Sequence, residues 1–150
     1  VDSDVEVERR AGVAIRAIFE TAGEDAFRDL EGAVLRDALD ARPGVLATGG
    51  GAVLRPANRL LLRERAIVVY LDATPEELSP RIRADGRRPL LAGADATARL
   101  ATLHSERDAL YRDVATVTVP SGSRRPDTTV RMIFEALQLR RSPQPDEGGT

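Results

Sequence analysis

The run Ala66-Ile67-Val68-Val69-Tyr70-Leu71 limits what this chain can fold into more than any other feature. It is β-branched and almost uninterruptedly apolar, a composition that suits a parallel strand buried on both faces. Thr74-Pro75-Glu76-Glu77 follows almost at once. It offers a threonine that can cap, a proline at the first helical position and a glutamate that completes a capping box. A strand that hands over directly to a helix is half of a βαβ unit. The pattern recurs along the chain. Val45–Thr48 reads as a buried strand before a helix from Pro56 to about Arg65, and Ala115–Val119 as a strand before a helix over Pro126–Leu139. Ala96–Asp113 reads as a helix. The stretch from Asp4 to Arg42 has helical periodicity, divided by Gly12 and Gly23 into two or three helices. Pro80 falls early in the helix that Thr74 opens, a position tolerated in the first turn and kinking beyond it.

Strands alternating with helices predict an α/β fold, a parallel sheet with flanking helices in three layers, α/β/α. Right-handed crossovers set the loops after the strands along one edge, where such sheets bind ligands. The segments after Val1, Thr48, Leu71 and Val119 should therefore line one crevice.

Composition removes several chemistries. All 22 basic residues are arginine, so there is no lysine for a Schiff base or a phosphate-binding loop. Cysteine is absent, which removes disulfides, thiol catalysis and cysteine-held metal. With 3% aromatic residues and a net charge of −2, neither stacking nor electrostatics points to nucleic acid. The longest apolar run is far short of the ~20 residues of a membrane span. The first ten residues carry no apolar signal-peptide core, so a cytoplasmic protein without membrane association is expected. At 150 residues, 42% hydrophobic and 31% charged, a single globular domain is expected over 1–139, with 140–150 a disordered polar tail.

Within this frame, Ala47-Thr48-Gly49-Gly50-Gly51-Ala52 suits a turn that lets a ligand approach the main chain with no Cβ in the way. Asp2 and Asp4 stand two apart and could face a crevice, one toward a metal-bound water and one toward a substrate hydroxyl; they fit a negatively charged helix start equally well. Arg28 follows an apolar Phe27 and could project into the same crevice. Residues 85–95, Asp-Gly-Arg-Arg-Pro-Leu-Leu-Ala-Gly-Ala-Asp, combine glycines, arginines and two leucines, as a lid closing over an anion would. Arg107 and Tyr111, four apart, share a helix face. Arg124, in the loop after the last strand, could stack on a planar ring, or the loop is a plain polar connection. His104, the single histidine, reads as structural or surface.

Taken in order, VDSD, AFRDLE, ATGGGAV, VVYLDATPEEL, RRPLLAG and ER-x3-YR resemble the shikimate kinases over roughly residues 1–139. The resemblance implies a P-loop kinase fold of the nucleoside-monophosphate-kinase type. It implies transfer of the γ-phosphoryl group of ATP to the 3-hydroxyl of shikimate, with Mg²⁺, in aromatic amino-acid biosynthesis, by a cytoplasmic monomer. It assigns Asp4 to the substrate hydroxyls and to proton acceptance, Asp2 to the water shell of Mg²⁺, and Arg28 and Arg107 to the shikimate carboxylate. Gly49, Gly50 and Gly51 become the turn against substrate and γ-phosphate. Arg88 becomes the lid arginine that contacts the transferred phosphoryl, and Arg81 and Arg124 flank the adenine.

Ala109 and Pro120 depart from the family pattern without touching these roles, and Pro80 could shift Arg81. The family's first strand, its Gly-x4-Gly-Lys-Ser/Thr segment and its first helix precede the VDSD position and do not occur in these 150 residues. The expectation is a shikimate-kinase-type domain that lacks turnover in this form. Its alternatives are a non-catalytic remnant that binds shikimate or a protein, and another small-molecule kinase such as a gluconate kinase.

Overall fold

A computed structural model describes residues 1–41, 43–85 and 96–141. The chain forms two compact units, Val1–Ile67 and Val68–Thr150. No helix among the described residues is long and apolar enough to cross a membrane.

The first unit is helical. Asp2 caps α1 (Ser3–Ala11), its Oδ1 accepting from the Asp4 N–H at 2.9 Å and the Val5 N–H at 3.3 Å. Gly12, at φ 71°, ends α1 by donating its N–H to the Glu8 carbonyl, a left-handed stop that glycine adopts without a Cβ penalty. α2 spans Ile15–Asp40 and is broken at Gly23, so the expected division of the 4–42 stretch falls at the two predicted glycines. Val7 of α1 packs with Ile18, Phe27 and Val34 of α2, flanked by Ala11, Ile15, Phe19 and Leu30. A 3-10 turn (Ala52–Leu54) leads into α3 (Pro56–Arg65), which starts and ends where the sequence placed it.

The expected buried strand at Val45–Thr48 is not there. Ala47 makes a single parallel bridge to Asp2, with Ser3 N–H to Ala47 O at 2.9 Å and Ala47 N–H to Val1 O at 2.8 Å. Val45 is 85% exposed. An apolar run becomes a buried parallel strand only when neighbours pair with its edges and layers cover its faces. Here one residue is paired, and no other strand pairs with it among the described residues.

In the second unit, β1 (Val69–Asp72) runs parallel to β2 (Val117–Pro120), with Val69 opposite Val117 and Asp72 opposite Pro120. β2 alternates as expected, Val117 and Val119 buried, Thr118 and Pro120 exposed. β1 is shorter than the apolar run that predicted it and is not buried on both faces: Leu71 is 49% exposed, and Ile67, outside the strand, 70%. Its only hydrogen-bonded neighbour among the described residues is β2.

α4 (Pro75–Asp85) opens with the capping box read in the sequence: Thr74 N–H donates to Glu77 Oε2 at 3.0 Å, and Glu77 N–H to Thr74 Oγ1 at 3.3 Å. Pro80 lies within α4. α5 (Ala96–Val114) packs on α4, where the Ser79 and Thr97 hydroxyls meet at 2.9 Å. α6 (Pro126–Arg141) covers β2 and continues two residues beyond the expected end, so Arg140 and Arg141 are helical rather than part of a tail. Residues 86–95, which hold nearly all of the expected lid and Arg88, and residues 142–150 lie outside the described residues. The fold is α/β, with parallel strand pairing flanked by helices.

Candidate functional site

The first turn of α1, the middle of α2 and the glycine turn converge in the first unit. Ser3, 1% exposed, accepts the Gly49 N–H on its hydroxyl at 3.1 Å, which fastens the turn to the start of α1. A Cβ at Gly49 would stand 2.9 Å from Asp4 Oδ1 and 3.5 Å from Glu31 Oε1, so the main chain passes directly over two carboxylates. A Cβ at Gly51 would overlap the Arg28 guanidinium, 2.6 Å from its Cζ. At these two positions the constraint is a closely approaching side chain rather than an unusual φ, and a Cβ would require that side chain to shift. The sequence singled out Asp4, Arg28, Gly49, Gly50 and Gly51, and the structure brings them together. Asp2 adjoins them, and its Oδ1 is occupied as the cap of α1. The helix-start reading of the acidic pair is borne out at Asp2, which is the cap, while Asp4, half-buried, faces the turn.

Arg28 is oriented by two glutamates. Its Nη1 donates to Glu31 Oε2 at 2.9 Å, its Nε to Glu24 Oε1 at 3.2 Å and its Nη2 to the same oxygen at 3.0 Å. The guanidinium also lies 5.0 Å from the Phe27 ring centroid. Glu31 is 1% exposed. Burial pushes its carboxyl above the usual range; the Arg28 charge opposes that shift and the Asp4 charge adds to it. Glu31, Glu24 and Ser3 were not singled out in the sequence. The available signal was the spacing within AFRDLE, where Arg28 and Glu31 are three apart on one helix face. Such pairs are mostly surface pairs, and nothing local marks this one as buried.

In the second unit, Arg107 lies on α5 with its Nε buried and without a hydrogen-bond partner among the described residues. A buried charged donor left unpaired is costly. Arg124 is exposed in the loop after β2, where the Ser123 N–H donates to Glu77 Oε1 at 3.3 Å. Arg81 belongs to α4, and Arg88 lies outside the described residues. Glu77 joins the loop to the start of α4, a role invisible in its capping motif.

In the first unit, then, a guanidinium held by two glutamates, a half-buried carboxylate and a glycine turn lie against one another. A family model described as shikimate kinase matches residues 1–138. A shikimate kinase of Ralstonia nicotianae is 49% identical over 139 residues, covering 92% of this chain and 73% of that one. One of Burkholderia thailandensis is 45% identical over 138 residues, covering 92% and 75%. Among solved structures, a shikimate kinase from Acinetobacter baumannii in complex with shikimate superposes with a TM-score of 0.84 at 38% identity, over 95% of this chain and 79% of that one. One from Aquifex aeolicus gives 0.78 at 32% identity, over 93% and 81%. The chain belongs to the shikimate kinase family.

Proposed function

We propose that Arg28, Asp4 and the Gly49–Gly51 turn bind shikimate, and that they do so in the service of phosphoryl transfer from ATP to its 3-hydroxyl. The observation that carries this reading is the Arg28 guanidinium lying against Gly51 while the Asp4 carboxylate lies under Gly49. A planar guanidinium takes a carboxylate through paired charge-assisted hydrogen bonds. Glu24 and Glu31 hold the fork in place, so little side-chain entropy is lost on binding. Asp4 accepts hydrogen bonds from the ring hydroxyls and takes the proton of the attacking one. Arg107, with its unpaired buried Nε, is the second carboxylate-binding arginine of the reading.

Phosphoryl transfer asks a protein for positioning and charge neutralisation more than for covalent chemistry. Arg88 contacts the transferred group in this reading, and Arg81 and Arg124 flank the adenine. Mg²⁺, when bound, neutralises phosphate charge. Asp2 suits a contact through its water shell, because it is exposed and one of its oxygens is committed to capping α1. The 150 residues contain no lysine and no Gly-x4-Gly-Lys-Ser/Thr segment, so turnover is to be assayed on a protein that also carries one. The reading includes a monomer acting in the cytoplasm.

Shikimate binding is separable from turnover and can be titrated calorimetrically on the 150-residue chain. Arg28→Ala should weaken it by ten- to a hundredfold, from the ~1.5–3 kcal/mol of a charge-assisted hydrogen bond. Asp4→Asn, which keeps shape and loses charge, should weaken it less. Wild-type affinity in Arg28→Ala would refute the assignment.

A further inference from the structure

Asp72 closes β1, and His104 and Asp108 stand one turn apart on α5. His104 Nε2 lies 3.9 Å from Asp72 Oδ1 and 3.9 Å from Asp108 Oδ1. The three ligand atoms all fall within 4.8 Å of one another. A separation of 3.9 Å is too long for a direct hydrogen bond. It is within reach of two ligands on one ion at bond lengths of ~2.0–2.2 Å.

Each carboxylate divides its oxygens between two tasks. Asp72 Oδ2 accepts from Arg112 Nη2 at 3.0 Å, and Asp108 Oδ2 from Arg112 Nε at 2.7 Å. Their Oδ1 atoms are the ones turned to His104. The Tyr70 hydroxyl donates to Asp108 Oδ1 at 3.1 Å, and its ring stacks on Tyr111 at 5.1 Å between centroids. Arg112 and Tyr70 therefore orient both carboxylates from behind, as outer partners do around metal ligands.

We propose that Asp72, His104 and Asp108 form a binding site for a transition-metal dication of the zinc class, with water completing the coordination. The two carboxylates set two acidic groups against the single Arg112 charge and leave a net attraction for a dication. The imidazole nitrogen and the small ligand count select against Mg²⁺, which prefers six oxygens in octahedral array. This site is separate in chemistry and residues from the Asp2 contact proposed for Mg²⁺. Bound metal would pin β1 to α5, the helix that carries Arg107.

The sequence makes the test clean, because the chain has one histidine and no cysteine. Histidine-dependent metal binding by the untagged protein can come only from His104. Zn²⁺ alone is titrated calorimetrically, and the single imidazole is followed by NMR. One equivalent should bind, with the imidazole resonances shifting in parallel and no displacement by equimolar Mg²⁺. His104→Gln and, separately, Asp72→Asn should each weaken binding by at least about tenfold. Unshifted imidazole resonances at millimolar Zn²⁺, affinity unchanged in His104→Gln, or displacement by equimolar Mg²⁺ would each overturn the proposal.

Discussion

Glu31 is buried to 1% exposure beside Arg28, and that burial sets a testable pH dependence. Desolvation raises its pKa in the folded protein despite the opposing Arg28 charge. The folded state then holds the proton more tightly than the unfolded chain does. The resulting stabilisation is complete below the ordinary glutamate value of 4.5 and is lost as pH rises through the raised folded value. Glu31→Gln removes this titration, so urea midpoints measured across that window should fall less steeply with rising pH than in wild type. An unchanged slope would mean that Glu31 ionises as freely folded as unfolded. Glu6 shifts the other way: hydrogen bonds from Arg9 and Arg10 hold its pKa down to about 2. Any stability it adds is therefore lost only as pH falls. The difference between the two glutamates could not be read from the sequence. Each has arginine three residues away, and only burial against distant segments separates them.

At the scale of the element, local chemistry was the most legible. The α4 capping box and the glycine breaks at 12 and 23 depend on residues within one turn of each other, and all stand where the sequence put them. Strands were less legible. Val45–Thr48 and Ala66–Leu71 have the composition of buried strands, yet burial belongs to the neighbours a strand acquires and not to the strand itself. Ala47 acquires one bridge and β1 acquires β2, which leaves Val45, Ile67 and Leu71 exposed. The capping box gives an element-level prediction. Thr74→Ala removes the oxygen that accepts the Glu77 N–H and should cost about 1 kcal/mol in chemical denaturation. A cost near zero would show that Glu77 and Pro75 start α4 without it.

For the molecule as a whole, family membership came through the order of short segments, six of which occur in sequence along residues 1–139. Of the candidate site, the sequence exposed the groups proposed to meet the ligand: Asp4, Arg28 and the glycine turn. It did not expose what holds those groups in place. Ser3 and Glu31 are ordinary in their local context, and become supporting residues only when α1, α2 and the turn converge. The central claim is that this convergence makes a shikimate carboxylate site, and Gly51 is its most exacting point. Paired calorimetric titrations of shikimate and gluconate into wild type and Gly51→Ala test it most directly. Shikimate should bind wild type at one equivalent and gluconate much more weakly. The added Cβ should displace the Arg28 guanidinium and lower shikimate affinity by at least about tenfold, worth ~1.4 kcal/mol, with circular dichroism unchanged. Equal affinity for the two acids, or wild-type affinity in Gly51→Ala, would contradict the account.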